Sequence, residues 1–145
     1  MFSKSTEYAL RATLYIAQKG SEEKKIGIEE VSKAIDSPRS FTAKILQSLT
    51  KENKIISSMS GPHGGFYMTD KAKKLPVRTI LEAMGEGELL DRCVLGLAKC
   101  SESKPSPMHS KYKIIKKQLI RLFETETILS LANEIERGEV VMKLK

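Results

Sequence analysis

The chain has 145 residues, 25 Lys and Arg against 18 Asp and Glu for a formal net charge of +7, two Cys, no Trp and 40% hydrophobic residues. That length allows one domain with an appendage and excludes a pair of large catalytic lobes, while 30% charged residues beside an ordinary apolar share exclude a disordered chain. No stretch approaches the roughly 20 uninterrupted apolar residues of a membrane span, since even the apolar run Met1 to Gln18 carries Lys4, Glu7 and Arg11. The expectation is a cytoplasmic protein with no membrane partner. Its two cysteines, Cys93 and Cys100, are too few for a disulfide scaffold and stand as thiols or metal ligands.

The charge is unevenly placed. Residues 1 to 80 hold 14 Lys and Arg against 8 Asp and Glu, a net of +6, whereas residues 81 to 145 hold 11 against 10, a net of +1. Positive charge concentrated in one module suits a polyphosphate partner, because each neutralised phosphate releases condensed counterions. A basic surface that only keeps a protein in solution has the same composition.

From Ser5 to Lys19 the apolar residues fall on two helical faces, Tyr8, Ala12, Tyr15 and Ile16 on one and Leu10, Leu14 and Ala17 on the other, which predicts a helix buried on two sides and ended by Gly20. Ser21 to Lys25 is a charged turn. Ile28, Val31, Ala34 and Ile35 mark a second, shorter amphipathic helix. Ser37 and Pro38 then read as the cap and first turn of a third helix. In it Phe41, Ile45, Leu46 and Leu49 face inward, while Arg39, Ser40, Ala43, Lys44, Gln47 and Lys51 face outward. Two helices joined by a short turn, the second with a polar and cationic outer face, form a helix-turn-helix, whose second helix enters the DNA major groove. A helical hairpin of no special purpose shares that period.

Lys54 to Met59 and Phe66 to Thr69 read as strands joined by the turn Ser60-Gly61-Pro62-His63-Gly64-Gly65. A hairpin in this position is a wing. Its glycines bring backbone amides near phosphates, and His63 can reach toward a groove; simple turn chemistry would also use Gly61, Gly64 and Gly65. Val77 to Met84 closes the module as a helix, and Gly85-Glu86-Gly87 is a helix stop. A long helix starting near His109 carries Tyr112, Ile115, Leu119 and Leu122 at spacings of three, four and three, the stripe of a helix that packs against a partner. Lys111, Lys113, Lys116 and Lys117 flank it as a solvated face. A last helix, Ile128 to Arg137, stopped by Gly138, folds back onto the core.

No Walker loop, dinucleotide fingerprint, Ser-His-Asp order or paired-carboxylate pocket is present, and the two histidines, His63 and His109, sit in a wing tip and a loop end. An enzyme is not expected. The fold class expected is mainly α: a winged helix-turn-helix DNA-binding domain with a β-hairpin wing over residues 1–84, a cysteine-containing sensor loop over 85–108, and a long C-terminal dimerisation helix with a final helix over 109–145. Arg39, Ser40, Lys44, Gln47, His63 and Gly64 are the candidate DNA-binding residues.

These residues resemble the Rrf-two family of winged helix-turn-helix transcriptional regulators over nearly the whole chain. The resemblance is carried by Tyr8-Ala9-Leu10-Arg11, Ser37-Pro38, Lys44-Ile45-Leu46-Gln47-Ser48-Leu49 and Gly61-Pro62-His63-Gly64-Gly65-Phe66. Further on it includes Cys93-Val94-Leu95-Gly96-Leu97, Cys100 and Pro105-Ser106-Pro107-Met108-His109. It implies a homodimer that binds a pseudo-palindromic double-stranded DNA operator, usually as a repressor, and that in many members senses redox state, iron or nitric oxide through an iron-sulfur cluster. Two positions depart from the family pattern. Ser60 stands where members often have an Arg before the wing glycine, and Ser106 stands where the third cysteine lies between two prolines, a hydroxyl being a much poorer iron ligand than a thiolate. The resemblance leaves Cys93, Cys100, His109 and, from the other subunit's first helix, Glu7 as a mixed ligand set, which suits a two-iron cluster better than a four-iron one. Three alternatives stay open: no cofactor and control by a small molecule or partner protein, a thiol pair that closes under oxidation, and, less well matched by the Cys spacing, zinc.

Overall fold

A computed structural model describes residues 2–93, 95 and 107–136. Helices α1 (Lys4–Lys19), α2 (Ile28–Ile35) and α3 (Arg39–Leu49) are followed by strands β1 (Ser57–Met59) and β2 (Gly65–Tyr67). Short helices α4 (Asp70–Lys73) and α5 (Arg78–Ala83), the long α6 (His109–Thr125) and α7 (Ile128–Glu136) complete the described chain. Arg137 and Gly138, the expected end of the last helix, lie outside the described residues.

Helix α1 is the centre of the fold, in contact with α2, α3, α5, α7 and β2. Its buried positions are small or branched: Thr6, Ala9, Ala12, Thr13, Ile16 and Ala17. Tyr8, Leu10, Leu14 and Tyr15, expected on the two buried faces, are half-buried around this stripe. Gly20 ends the helix in extended rather than left-handed backbone (φ −105°), its N–H bonding Ile16 O at 2.8 Å. The other end is capped twice. Ser3 Oγ accepts from the Thr6 N–H at 3.2 Å. The Glu86 carboxylate accepts from Ser3 N–H at 3.1 Å, Ser3 Oγ at 2.5 Å and the Thr6 hydroxyl. A carboxylate there also meets the positive end of the helix dipole.

The third helix differs from expectation at its start. Pro38 is its N-cap and Arg39 its first residue, with no side-chain cap: the Ser37 hydroxyl approaches only Pro38 O, at 3.4 Å. The missing cap is compensated one turn in, where Thr42 donates to Pro38 O from both its N–H (2.9 Å) and its hydroxyl (3.0 Å). Thr42, Ile45, Leu46 and Leu49 are buried, and Phe41 is half-buried.

The wing strands are shorter than their hydrophobic pattern suggests. After α3 the chain turns through two left-handed residues, Glu52 (φ 58°) and Asn53 (φ 49°), and Ile55 and Ile56 enter the core before pairing begins. At the far end Thr69 caps α4, accepting from the Ala72 N–H at 3.1 Å, instead of extending β2. The register is antiparallel, Ser57 opposite Tyr67, Ser58 opposite Phe66 and Met59 opposite Gly65. Ile26 acts as a one-residue third strand, exchanging two 2.8 Å bonds with Phe66.

Helix α7 closes the core over α1, with Ile128 and Ala132 buried. The bridge between Pro76 and Thr127 fixes its entry, flanked by Val77 N–H to Glu126 O at 2.9 Å and Ile128 N–H to Leu75 O at 3.1 Å. Helix α6 buries no residue. It is held through the turn Gly87–Leu90, through an edge contact of Phe2 on Phe123 at 5.5 Å, and through Arg78. The Arg78 guanidinium pairs with Glu82 (3.4 Å), Asp91 (2.8 Å) and Glu124 (2.9 Å), and so ties α5 to α6 and to the segment before Cys93.

Hydrogen bonds from Ser3 and Thr6 hold the Glu86 carboxyl below its ordinary range. A lowered native value means that its stabilisation is complete above the unfolded Glu value of about 4.3 and fades as the pH falls through the native value. Glu86→Gln is therefore expected to lower stability by roughly 0.5–1 kcal/mol at pH 7, allowing for partial solvent exposure. The difference should shrink in acid, as the pH falls through the lowered native value. Urea unfolding at pH 7 and in acid checks this, and equal midpoints at pH 7 would count against the cap.

Candidate nucleic-acid interface

The turn between α2 and α3 is built on Asp36, which takes the left-handed conformation (φ 54°, ψ 55°) that Asp tolerates better than most residues. Its neighbour Ser37 sends its N–H back to Ser32 O at 3.0 Å, closing the end of α2. The reversal aims the outer face of α3 away from the core. Arg39, Ser40, Ala43, Lys44 and Gln47 are all exposed there, and Lys51 extends the face beyond the helix. The sequence reading of this face holds residue by residue.

The wing tip carries Pro62 and His63, both exposed. Gly61 sits at φ 104°, and its carbonyl accepts from the Gly64 N–H at 3.0 Å. Gly64 is required by close approach: a Cβ there would lie 2.1 Å from Met59 O. Gly65 combines φ 146° with a Cβ position 2.9 Å from Ile26 O. The glycines thus bring the two wing strands and the Ile26 segment together. Whatever His63 reaches, it reaches from a narrow, glycine-built tip.

Several contacts that position this face were not found from sequence. Tyr8 meets Phe41 edge-on at 5.5 Å, which joins α1 to α3. Arg11 lies over the Tyr8 ring at 4.6 Å, its two terminal nitrogens buried and without a hydrogen-bond acceptor among the described residues. Tyr15 donates to Glu30 Oε2 at 2.7 Å, and burial together with that carboxylate pushes its phenol up to about 12. Arg39 Nε donates to Glu29 Oε1 on α2. Apart from Arg11 and Tyr8, which are three residues apart on α1, these pairs join different elements, so no local spacing announces them.

Of the candidate metal ligands, Glu7, Cys93 and His109 lie among the described residues. Glu7 is exposed in the first turn of α1, Cys93 is half-buried just beyond the turn Gly87–Leu90, and His109 is half-buried as the first residue of α6. Cys100 and Ser106 lie outside the described residues. Among the described residues no three His, Cys, Asp or Glu side chains group as a metal site would require. Nor is any helix among them long and apolar enough to cross a membrane.

Residues 2–134 match the sequence model of a family described as Rrf2, iron-dependent transcriptional regulator. A protein of Aquifex aeolicus described as an HTH-type transcriptional regulator is 32% identical over 139 residues, 94% of each chain. Among solved structures the fold is similar to CymR, the global cysteine regulator of B. subtilis, with a TM-score of 0.72 at 14% identity over 92% of this chain and 96% of that one. It is similar also to T. potens IscR, with a TM-score of 0.69 at 15% identity over 97% and 91%. At such identities these two structures speak for the fold alone, a mainly helical winged helix with a two-stranded hairpin.

Gly64→Ala is expected to destabilise the wing by about 1–3 kcal/mol, the usual range for overpacking. Amide exchange at Met59 and Phe66 should quicken while that of Ile16 stays slow. Unchanged exchange in the hairpin would show that the close approach at Met59 O relaxes without effect.

Proposed function

Because the chain belongs to the Rrf2 family of transcriptional regulators, which are not enzymes, we propose that it is a dimeric, sequence-specific DNA-binding repressor. The observation that carries this reading is the outer face of α3, where Arg39, Ser40, Lys44 and Gln47 stand exposed on a helix-turn-helix and a glycine-built wing presents His63 and Gly64. In this reading α3 lies in the major groove. Arg39 and Gln47 take base edges, Lys44 and Ser40 take phosphate or base, and the wing tip meets the adjacent minor groove. The excess of positive charge in the first eighty residues supplies the non-specific part of the affinity.

Dimerisation is proposed through α6. It buries no side chain, and Ile114, Ile115 and Leu122 are more than half exposed. Tyr112 and Leu119 continue the stripe, and a second copy of the same helix is the partner that a parallel or antiparallel seam would supply. Two heads joined in this way would read two half-sites one helical turn apart.

Control is proposed to act on the segment 85–108 between the winged module and α6. An iron-sulfur cluster needs about four ligands, mostly thiolates. Each chain has two cysteines, and Ser106 offers a hydroxyl between the prolines. The donors present do not fit a cluster held by three thiolates of one chain, and the proposed control does not run through one. It runs through a small molecule, a partner protein or the state of the two thiols, felt at Asp91, which grips Arg78 two residues before Cys93. Protein prepared without air should be colourless and carry well under one iron per chain while still binding DNA. Stoichiometric iron with visible absorbance would reverse this choice of sensor.

Arg39→Ala and Lys44→Ala are each expected to weaken binding to a duplex enriched from a random-sequence pool by about tenfold or more. Any lost phosphate contact should also shallow the log-log salt slope by about 0.9. Sedimentation should show the dimer intact. Unchanged affinity in the double variant would remove α3 from the interface.

A further inference from the structure

Glu29 is the second residue of α2 and Arg39 the first of α3, and the Arg39 Nε donates to Glu29 Oε1 across the turn that Asp36 makes. Both side chains stand in solvent, 64% and 75% exposed for Arg39 and Glu29 respectively. A pair so open contributes little to stability, because water and salt screen it and two long side chains must be held still to form it. What it does fix is direction. With Nε engaged, the end-on fork of the guanidinium, its two terminal amino groups, takes no acceptor among the described residues. That fork is the part of an arginine that matches guanine O6 and N7 in the major groove.

Glu29 also places a negative charge on a face otherwise furnished with Arg39, Lys44 and Lys51. Electrostatics alone therefore assigns it one effect: its removal should tighten binding to every duplex, whatever the sequence. Support of Arg39 assigns it another, weaker binding to a cognate duplex only. The two differ in sign, so they can be separated by experiment.

We propose that Glu29 is a positioning residue for sequence recognition, holding Arg39 by its Nε so that the guanidinium fork is presented ready-made to a guanine. The side chain never touches DNA in this role. It acts by removing the freedom that an exposed arginine would otherwise lose on binding, the same saving that preorganisation brings to any interface. The proposal rests on the docking of α3 in the major groove.

The test uses the full-length protein, the duplex that the wild type enriches from a random-sequence pool, and a scrambled duplex of equal length. Glu29→Ala should bind the enriched duplex roughly tenfold more weakly. It should bind the scrambled one as well as or better than the wild type. A second enrichment with this variant should lose the preference for guanine at one position of each half-site, the position that Arg39→Ala also loses. Glu29→Gln keeps an acceptor for Nε and should retain that preference. If Glu29→Ala binds both duplexes more tightly and keeps the guanine, the carboxylate is only a repulsive charge and the proposal falls. If Arg39→Ala alone loses the guanine, base reading by Arg39 stands and its support by Glu29 does not. A wild type that enriches no sequence at all would overturn the DNA-binding reading and this inference with it.

Discussion

A helix can be covered on nearly every side only if its neighbours can come close, and α1 meets that condition with Ala9, Ala12, Thr13 and Ala17 on its buried surface. The two buried hydroxyls cost nothing by being there. Thr13 returns its proton to Ala9 O at 2.8 Å, and Thr6 gives its own to Glu86. Helices α2, α3, α5 and α7 and the strand β2 then pack around a common axis. A larger residue among Ala9, Ala12, Thr13 and Ala17 would force apart the helices packed on α1, α3 among them, and with α3 the exposed face of Arg39, Ser40, Lys44 and Gln47. The direction in which that face points is thus a property of small residues that lie nowhere near it.

Periodicity made α2 and α3 legible because each has one buried side, and the outer face of α3 was legible for the same reason read in reverse. Side chains that could not pay for burial had to face water. Other features left no such trace. The short helix α4 lies where a strand pattern seemed to continue, since Phe66 and Tyr67 are followed by Thr69, a residue at home both in a strand and at a helix cap. Pro38 is acceptable both at the cap and in the first turn, so composition alone did not choose between them. The Glu86 cap on α1 spans 80 positions and the Arg39 to Glu29 contact spans ten, beyond any helical spacing.

The candidate sensor was legible in a different way. Cys93, Cys100, His109 and Glu7 stood out as chemically able residues, and their grouping came from likeness to a family and not from spacing. In the described structure Glu7 lies in the first turn of α1, Cys93 follows the turn that leads out of α5, and His109 starts α6. What does link the region is Arg78, whose side chain is only 18% exposed and answers to three carboxylates. Lys116 Nζ joins it there as a second cation, donating to Asp91 O at 3.2 Å. Any change that draws Asp91 away leaves Glu124 as the carboxylate that joins Arg78 of α5 to α6.

Helix α6 has 17 residues and no buried side chain. A helix of that length held mainly at its flanks is marginal in water, because most helical stability comes from packing one face. In the proposed dimer its persistence would depend on how much of the second copy is present to cover Ile114, Ile115 and Leu122, so dilution would become a variable of the fold. By mass action, a covering second copy would make the melting temperature climb with protein concentration. In that proposed assembly, the amount of chain present would set how firmly the helix is held.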